Sequence, residues 1–188
     1  MARSVTYHSK YGGLIVSKTD VRKLKAGLRG KLDDTINMMA YQLSYIGEQA
    51  VKVAREKGSY SDVTGNLRSS IGYVVLLNGV AIKTSLADQI SVESGYRLVK
   101  RKRKDGSEYM AKQKIGGDGS EGAKQARNML DKLRAEYPRG LVLIVCAAME
   151  YAVYVEAVHH KDVLTSAELE AERLVDKLIA KYLDKDGD

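Results

Sequence analysis

Apolar residues recur at intervals of three and four along the first third of the chain, the spacing that lines one face of an α-helix. They are Val21, Leu24, Leu28, Leu32, Ile36, Met39, Leu43, Ile46, Ala50 and Val53. Asp20 is placed to cap the start of this helix and Gly58 to end it. An unbroken helix here would be about 55 Å long, although Gly27, Gly30 and Gly47 could break or bend it. Its apolar stripe needs a sheet or a neighbouring subunit to cover it.

A β-hairpin is predicted next, because the apolar pattern changes from a period of three to four residues to strict alternation. The alternating positions before the turn are Ile71, Tyr73, Val75 and Leu77, and those after it are Val80, Ile82 and Thr84. Asn78-Gly79 between them is typical of a two-residue hairpin turn. The sequence therefore predicts two antiparallel strands.

A third strand is predicted over residues 140–148, which follow Pro138 and are short, β-branched and almost uncharged. Such a composition is typical of a central strand. Cys146 would then be a core residue.

Residues 93–137 differ in composition from their surroundings, and we interpret them as an insertion in a single domain of residues 1–188. Asp105-Gly106 could turn a second, very polar hairpin. The segment GGDGSEG is interpreted as a flexible link. A helix follows, with Ala123, Ala126, Leu130, Leu133 and Tyr137 at helical spacing, and Pro138 ends it.

The last helix begins with a predicted capping box, Thr165 and Glu168. Its buried face would carry Leu174, Val175, Leu178, Ile179 and Tyr182. The predicted fold class is therefore α+β. A small antiparallel sheet packs against a long N-terminal helix and a C-terminal helix, and a basic, mobile insertion of a hairpin and a helix projects from them.

The composition is that of an ordinary soluble globular protein, with 44% hydrophobic and 29% charged residues. Phe and Trp are absent, whereas Tyr occurs 12 times. Tyrosine suits subunit interfaces that are partly wet. Cys146 is the only cysteine, which excludes an internal disulfide and favours synthesis in the reducing cytoplasm. No apolar run reaches the roughly 18 residues that a membrane span needs.

The sequence gives little sign of enzyme chemistry. The histidines are His8, His159 and His160, and the adjacent pair has poor geometry for holding a metal ion. Gly117, Gly119 and Gly122 match a dinucleotide-binding pattern, but the preceding YMAKQK is too polar for a buried parallel strand. We therefore expect no catalytic residue, no cofactor and no metal site.

Basic residues are crowded into the segment RLVKRKRK, within a chain whose net charge is +7. They are Arg97, Lys100, Arg101, Lys102, Arg103 and Lys104. Such an arm could face DNA phosphates. The alternative is that the arm is solvated or docks on an acidic protein surface. Only Tyr96 lies nearby for base stacking, so no sequence-specific recognition is predicted.

Two short motifs resemble a structural family of tailed bacteriophages, the head-tail connector or tail-completion proteins of lambda-like siphoviruses. Thr64, Gly65, Leu67, Arg68, Ser70 and Ile71 match that family's Thr-Gly-x-Leu-Arg-x-Ser-Ile entry to its sheet. Tyr151, Ala152, Tyr154, Val155 and Glu156 match its Tyr-Ala-x-Tyr-Val-Glu segment. Both motifs fall in the family's order.

The resemblance implies a ring-forming protein of the virion neck or tail, assembled in the host cytoplasm, with no catalytic residues to transfer. Portal-side and tail-side proteins would be its partners around the DNA channel. The motifs would be architectural: Gly65 permits a turn, and Tyr151 and Tyr154 pack beneath the hairpin and the third strand. Arg68 and Glu156 are candidates for an ion pair between the hairpin and the third strand, and the alternative is two independent surface charges. The alternative is a nucleic-acid-binding protein outside the virion that uses the basic arm of residues 97–104.

Overall fold

The computed structural model describes residues 5–8, 14–17, 20–85 and 89–183, and side chains within 20–85 and 89–181. The elements in chain order are β1 (Val5–His8), β2 (Leu14–Ser17), α1 (Val21–Lys57), α2 (Asn66–Ser69), β3 (Ile71–Leu77), β4 (Val80–Ser85), β5 (Val92–Lys102), β6 (Glu108–Gly117), α3 (Ser120–Glu136), β7 (Leu141–Ala147), α4 (Tyr151–Ala157) and α5 (Thr165–Leu183). The predicted α+β class, with a long N-terminal helix, small antiparallel sheets and a C-terminal helix, is confirmed.

Contacts divide the chain into two compact units, one that ends at Met39 and one that begins at Ala40. In the first unit, β1 and β2 pair antiparallel with Val5 opposite Ser17. The Asp20 carboxylate accepts hydrogen bonds from the backbone N–H groups of Arg22 at 3.0 Å and Lys23 at 3.3 Å. The predicted helix cap at Asp20 is thus confirmed.

Helix α1 continues without interruption from Val21 to Lys57, so none of its glycines breaks it, and Gly58 follows its last residue as predicted. Within the second unit, a Cβ added at Gly47 would lie 2.6 Å from the ring of Tyr73. Glycine at this position therefore allows the helix backbone to approach the sheet closely.

The three-stranded sheet of the second unit has the order β4-β3-β7, with antiparallel pairing throughout. The hairpin turn is confirmed, because Asn78 and Gly79 have φ values of 51° and 78°, the left-handed region that such turns require. The strand predicted over residues 140–148 is present as β7, but its predicted central position is wrong. β3 is central, and β7 lies at one edge because it pairs with β3 alone.

Helices cover both faces of this sheet. On one face, Ile71, Tyr73 and Val75 pack with residues of α1, α4 and α5. On the other face, Val74, Leu76 and the buried Cys146 pack with Leu130 of α3. The predicted core position of Cys146 is confirmed. Helix α3 was predicted within a projecting insertion, but it is part of this core because its apolar positions seal the second face.

Strands β5 and β6 form a separate two-stranded ribbon with antiparallel pairing from Tyr96 opposite Lys114 to Lys102 opposite Glu108. Gly106 has a φ of 85° at its tip, which confirms the predicted turn at Asp105-Gly106. Among the helices of the described chain, none combines the length and apolar character that crossing a membrane requires.

Candidate interaction sites

The first motif forms a tight turn that leads through the single-turn helix α2 into β3. Gly65 has a φ of 79°, and a Cβ there would lie 1.9 Å from the carbonyl oxygen of Ile90. The Asp62 carboxylate accepts hydrogen bonds from the N–H groups of Gly65 at 2.9 Å and Arg68 at 3.1 Å. Glycine is required here both for its conformation and for the close approach of Ile90.

The two serines that end this motif are fully buried and satisfied by backbone groups. Ser70 donates its hydroxyl to the carbonyl of Leu67 at 2.7 Å. The Ser69 hydroxyl oxygen accepts a hydrogen bond from the N–H of Ile90 at 2.8 Å. Leu67 is also buried, whereas Thr64 is partly exposed. Hydrogen bonds between both serines and backbone groups therefore allow this polar turn to be buried in the core.

The glycine-rich segment before α3 interlocks with this turn. Cβ atoms added at Gly117 and Gly122 would lie 2.5 Å from the carbonyl oxygen of Thr64 and 1.9 Å from that of Asn66. The N–H of Gly122 donates to the Asn66 side-chain oxygen at 3.3 Å. The interpretation of GGDGSEG as a flexible link is therefore wrong. These glycines allow two backbones to touch, which a sequence pattern of glycines alone does not distinguish from a linker.

Arg68 and Glu156 are not paired in the part of the chain that the structure describes, so the predicted ion pair is wrong. The Arg68 guanidinium carbon lies 5.9 Å from the ring centroid of Tyr60. Burial raises the pKa of Tyr60 to about 12, although the nearby Arg68 opposes that rise. Tyr60 is therefore neutral at physiological pH and donates its hydroxyl to the carbonyl of Ala54 at 3.2 Å.

Glu156 lies near the end of helix α4, not at the end of a strand, and it caps the next helix instead. Its Oε1 accepts hydrogen bonds from the N–H groups of Val163 at 3.4 Å, Leu164 at 3.2 Å and Thr165 at 3.0 Å, and from the Thr165 hydroxyl. The predicted capping box is wrong, because the N–H of Glu168 bonds to the carbonyl of Leu164. A carboxylate from the preceding helix, α4, takes the role assigned to Thr165.

The tyrosines of the second motif are exposed rather than packed beneath the hairpin and the third strand as the resemblance implies. Tyr151 and Tyr154 are 40% and 54% exposed, and only Ala152 of this motif is buried. Tyr154 makes an edge-to-face contact with His159, with ring centroids 5.2 Å apart. Because α4 turns Ala152 inward, its tyrosines stand on the surface, where they are available to a partner.

An apolar groove lies between α1, β7 and α5 in the second unit, with a volume of about 730 Å³. Its apolar lining residues are Leu43, Leu143, Val145, Leu164, Ala167, Ala171 and Val175. Three exposed carboxylates of α5, Glu168, Glu172 and Asp176, also line it. We call this feature the acidic groove. The acidic groove was not predicted from the sequence, although the spacing of four residues between these carboxylates places them in one row along a helix.

The basic arm is the ribbon of β5 and β6, and its charges fall on two faces because successive strand residues point to opposite sides. The cross-strand register places Lys100, Lys102, Lys112 and Lys114 on one face. On the other, the Arg103 guanidinium carbon lies 4.9 Å from the ring centroid of Tyr109.

The remaining members of the predicted basic cluster are placed around this ribbon. Arg97 and Arg101 belong to the face opposite the lysines, and Arg97 is partly buried. Lys104 is exposed in the tip. Lys100 forms an ion pair with Glu108, which removes one lysine from the free positive charge of its face.

No group of three or more His, Cys, Asp or Glu residues is arranged to hold a metal ion within the described residues. Of the glycines that match the dinucleotide pattern, Gly117 is the last residue of β6 in the antiparallel ribbon, Gly119 precedes α3 with a φ of 71°, and Gly122 lies within α3. The structure of this segment is therefore unlike a parallel strand–turn–helix unit.

Comparison of the chain with protein-family models, with curated proteins and with solved structures finds no match.

Proposed function

We propose that this chain is a structural virion protein of a tailed bacteriophage, which forms a ring at the head-tail connector or tail-completion position. Copies would associate through their surfaces and join portal-side to tail-side proteins around the DNA channel. The support is the resemblance of the two motifs together with a surface suited to assembly. In this proposal the protein works through its contact surfaces and does not catalyse a reaction.

One observation carries this proposal: the start of α1 exposes an apolar row. Leu24, Leu28 and Leu32 are 53%, 59% and 58% exposed, and Val21 is 45% exposed. We call Val21, Leu24, Leu28 and Leu32 the apolar stripe. Scattered exposed apolar residues are ordinary, but a continuous row along one helix face is typical of an interaction surface.

Exposed tyrosines extend the surfaces available for assembly. Tyr41 and Tyr45 of α1, Tyr96 of the ribbon, and Tyr151 and Tyr154 of α4 are each at least 40% exposed. Tyrosine is enriched at protein interfaces because its ring is apolar and its hydroxyl tolerates water. These residues fit a protein that buries several parts of its surface against neighbours.

The proposal is tested by the mass and shape of the purified full chain. After nuclease treatment, light scattering is expected to give an oligomer mass and negative-stain images are expected to show closed rings. Mass spectrometry is expected to find the chain in phage particles purified from infected cells that produce this protein. Its absence from finished particles, or turnover of a substrate by its own residues, would overturn the proposal.

The alternative is a nucleic-acid-binding protein outside the virion, favoured by the lysine face of the ribbon. Each phosphate neutralised by such a face contributes roughly −0.9 to the slope of log affinity against log salt. A gel-shift assay across salt concentrations, with and without neutralisation of Lys100, Lys102, Lys112 and Lys114, tests this. Strong binding that these substitutions abolish, in a chain that forms no rings, would favour the alternative.

A further inference from the structure

The apolar stripe carries a row of positive charge along one side. Arg22, Lys25 and Arg29 follow each other at spacings of three and four residues, so they lie beside the stripe on the same side of α1. A helix rises about 1.5 Å per residue, so this row extends over roughly 10 Å. The stripe is therefore an exposed apolar surface with a basic edge.

The acidic groove has the complementary character. Glu168, Glu172 and Asp176 form a row of roughly 12 Å at the rise of an α-helix. None of the three forms an ion pair with another residue in the described part of the chain. The groove is thus apolar within and acidic at its edge, and its carboxylate row is close in length to the basic row beside the stripe and opposite to it in charge.

Pairing of two apolar stripes with each other is disfavoured by the same charges. Such a pairing would bring the basic row of one α1 towards the basic row of another, and like charges at close range oppose association. The acidic groove instead offers three carboxylates to these three basic residues. Charge therefore selects the groove over a second stripe.

We infer that the acidic groove of one copy binds the apolar stripe at the start of α1 from a second copy. Each copy then offers one stripe and accepts one, which makes the contact head-to-tail. Contacts of this kind generate closed rings when the rotation between copies closes. This inference rests on the proposed function and names the surfaces through which the ring assembles.

Cross-linking between two differently labelled populations tests the contact. Both populations carry Cys146→Ala, one carries Lys25→Cys and the other carries Glu172→Cys. A short bismaleimide is expected to join them when mixed. A matched control replaces Glu172→Cys with Lys177→Cys, which lies on another side of α5 because five residues turn a helix by about 140°. It is expected to give little product.

Charge exchange gives a second readout that does not depend on cysteines. Reversal of Glu168, Glu172 and Asp176 to Lys is expected to weaken self-association about tenfold or more. Reversal of Arg22, Lys25 and Arg29 to Glu is expected to do the same, and mixing the two variants is expected to restore association. The matched control reverses Glu121, Asp131 and Glu136, which are exposed carboxylates of α3, and should leave association unchanged.

The outcomes separate this inference from the proposed function. Rings that survive both charge reversals would overturn the docking contact and leave the ring in place. Cross-links within the Lys25→Cys population alone would show stripe-to-stripe pairing and also overturn the contact. A chain that forms no oligomer and is absent from particles would overturn both proposals together. Circular dichroism of every variant establishes that the compared chains are folded.

Discussion

Glu156 and Thr165 are joined twice: one carboxylate oxygen accepts the Thr165 backbone N–H at 3.0 Å and also its hydroxyl. The same oxygen accepts the N–H groups of Val163 and Leu164. The first N–H groups of an α-helix have no partner within the helix, and an anion near them is stabilised by the helix dipole. Glu156 therefore anchors the start of α5 to α4.

Replacing Glu156 with Gln is expected to destabilise the protein by about 1–2 kcal/mol, as the loss of a helix cap does. The amide keeps one acceptor oxygen but loses the negative charge that strengthens these hydrogen bonds. Urea unfolding at pH 7 measures the change. Glu150→Gln is a matched control, because Glu150 makes no side-chain hydrogen bond to the start of α4. Equal unfolding midpoints for Glu156→Gln and the unmodified chain would contradict the anchor.

Acid is expected to remove the same contribution. Burial raises the pKa of Glu156, but the hydrogen bonds from the Thr165 hydroxyl and from the N–H groups of Leu164, Thr165 and Val163 outweigh it, so the pKa lies below 4.5. A carboxylate with a lowered pKa in the folded state stabilises it above the unfolded pKa and loses that effect as pH falls. The stability difference between the unmodified chain and Glu156→Gln should therefore shrink as pH falls below about 4.5.

The sequence predicts the elements whose signals are local and misses contacts made between distant segments. Asp20, Asn78 and Gly79 act on neighbouring residues, and each does what its local pattern indicates. Glu156 acts on a helix that begins nine residues later, while Thr165 and Glu168 satisfy the local pattern of a capping box without forming one. For α5, the local sequence pattern therefore predicts the helix but not the side chain that caps it.

The candidate sites show the same limit. The crowding of basic residues along 97–104 and the Asp105-Gly106 turn are enough to predict a basic hairpin. The acidic groove is formed by residues from three elements that are far apart in the sequence. No periodicity within one segment indicates that those elements meet, so the groove is visible only in the fold.

Alanine at Gly122 is expected to destabilise the protein by about 1–3 kcal/mol or more, as overpacking does. The new Cβ would lie 1.9 Å from the backbone oxygen of Asn66, so the turn and α3 would have to separate. Gly30→Ala is the contrasting helical position, because nothing lies within 4 Å of its added Cβ. That change should stabilise α1 by about 0.5–1 kcal/mol. Thermal unfolding followed by circular dichroism compares the two, and a neutral Gly122→Ala would contradict the interlock.

Arg68 and Glu156 are expected to be energetically independent, because Arg68 lies beside Tyr60 and Glu156 caps α5. A double-mutant cycle with Arg68→Met and Glu156→Gln should give a coupling within about 0.5 kcal/mol of zero. Tyr73→Phe with Glu48→Gln is the positive control, since the Tyr73 hydroxyl donates to Glu48 at 3.0 Å. That pair should couple by about 0.5–1.5 kcal/mol. A strong coupling between Arg68 and Glu156 would restore the ion pair that the structure lacks.

Alkaline titration is expected to find at least two tyrosines that ionise late, at a pH well above the ordinary tyrosine pKa of 10.0. Burial raises the pKa of Tyr60 to about 12, and burial with the hydrogen bond and charge of Glu48 raises that of Tyr73 to about 12. Both pKa values lie above the ordinary value of 10.0, so the folded state holds more protons than the unfolded state between pH 10 and 12. Stability should therefore fall as pH rises through that range.

Ultraviolet absorbance of tyrosinate measures the late ionisation, and urea unfolding at successive alkaline pH values measures the loss of stability. The double substitution Tyr60→Phe and Tyr73→Phe should remove the late component, the tyrosines that ionise near pH 12. Tyr41→Phe should leave it in place, because Tyr41 is 68% exposed on α1. If the late component persists in the double variant, other tyrosines are the buried ones, and the packing of Tyr60 and Tyr73 around the sheet is not as described.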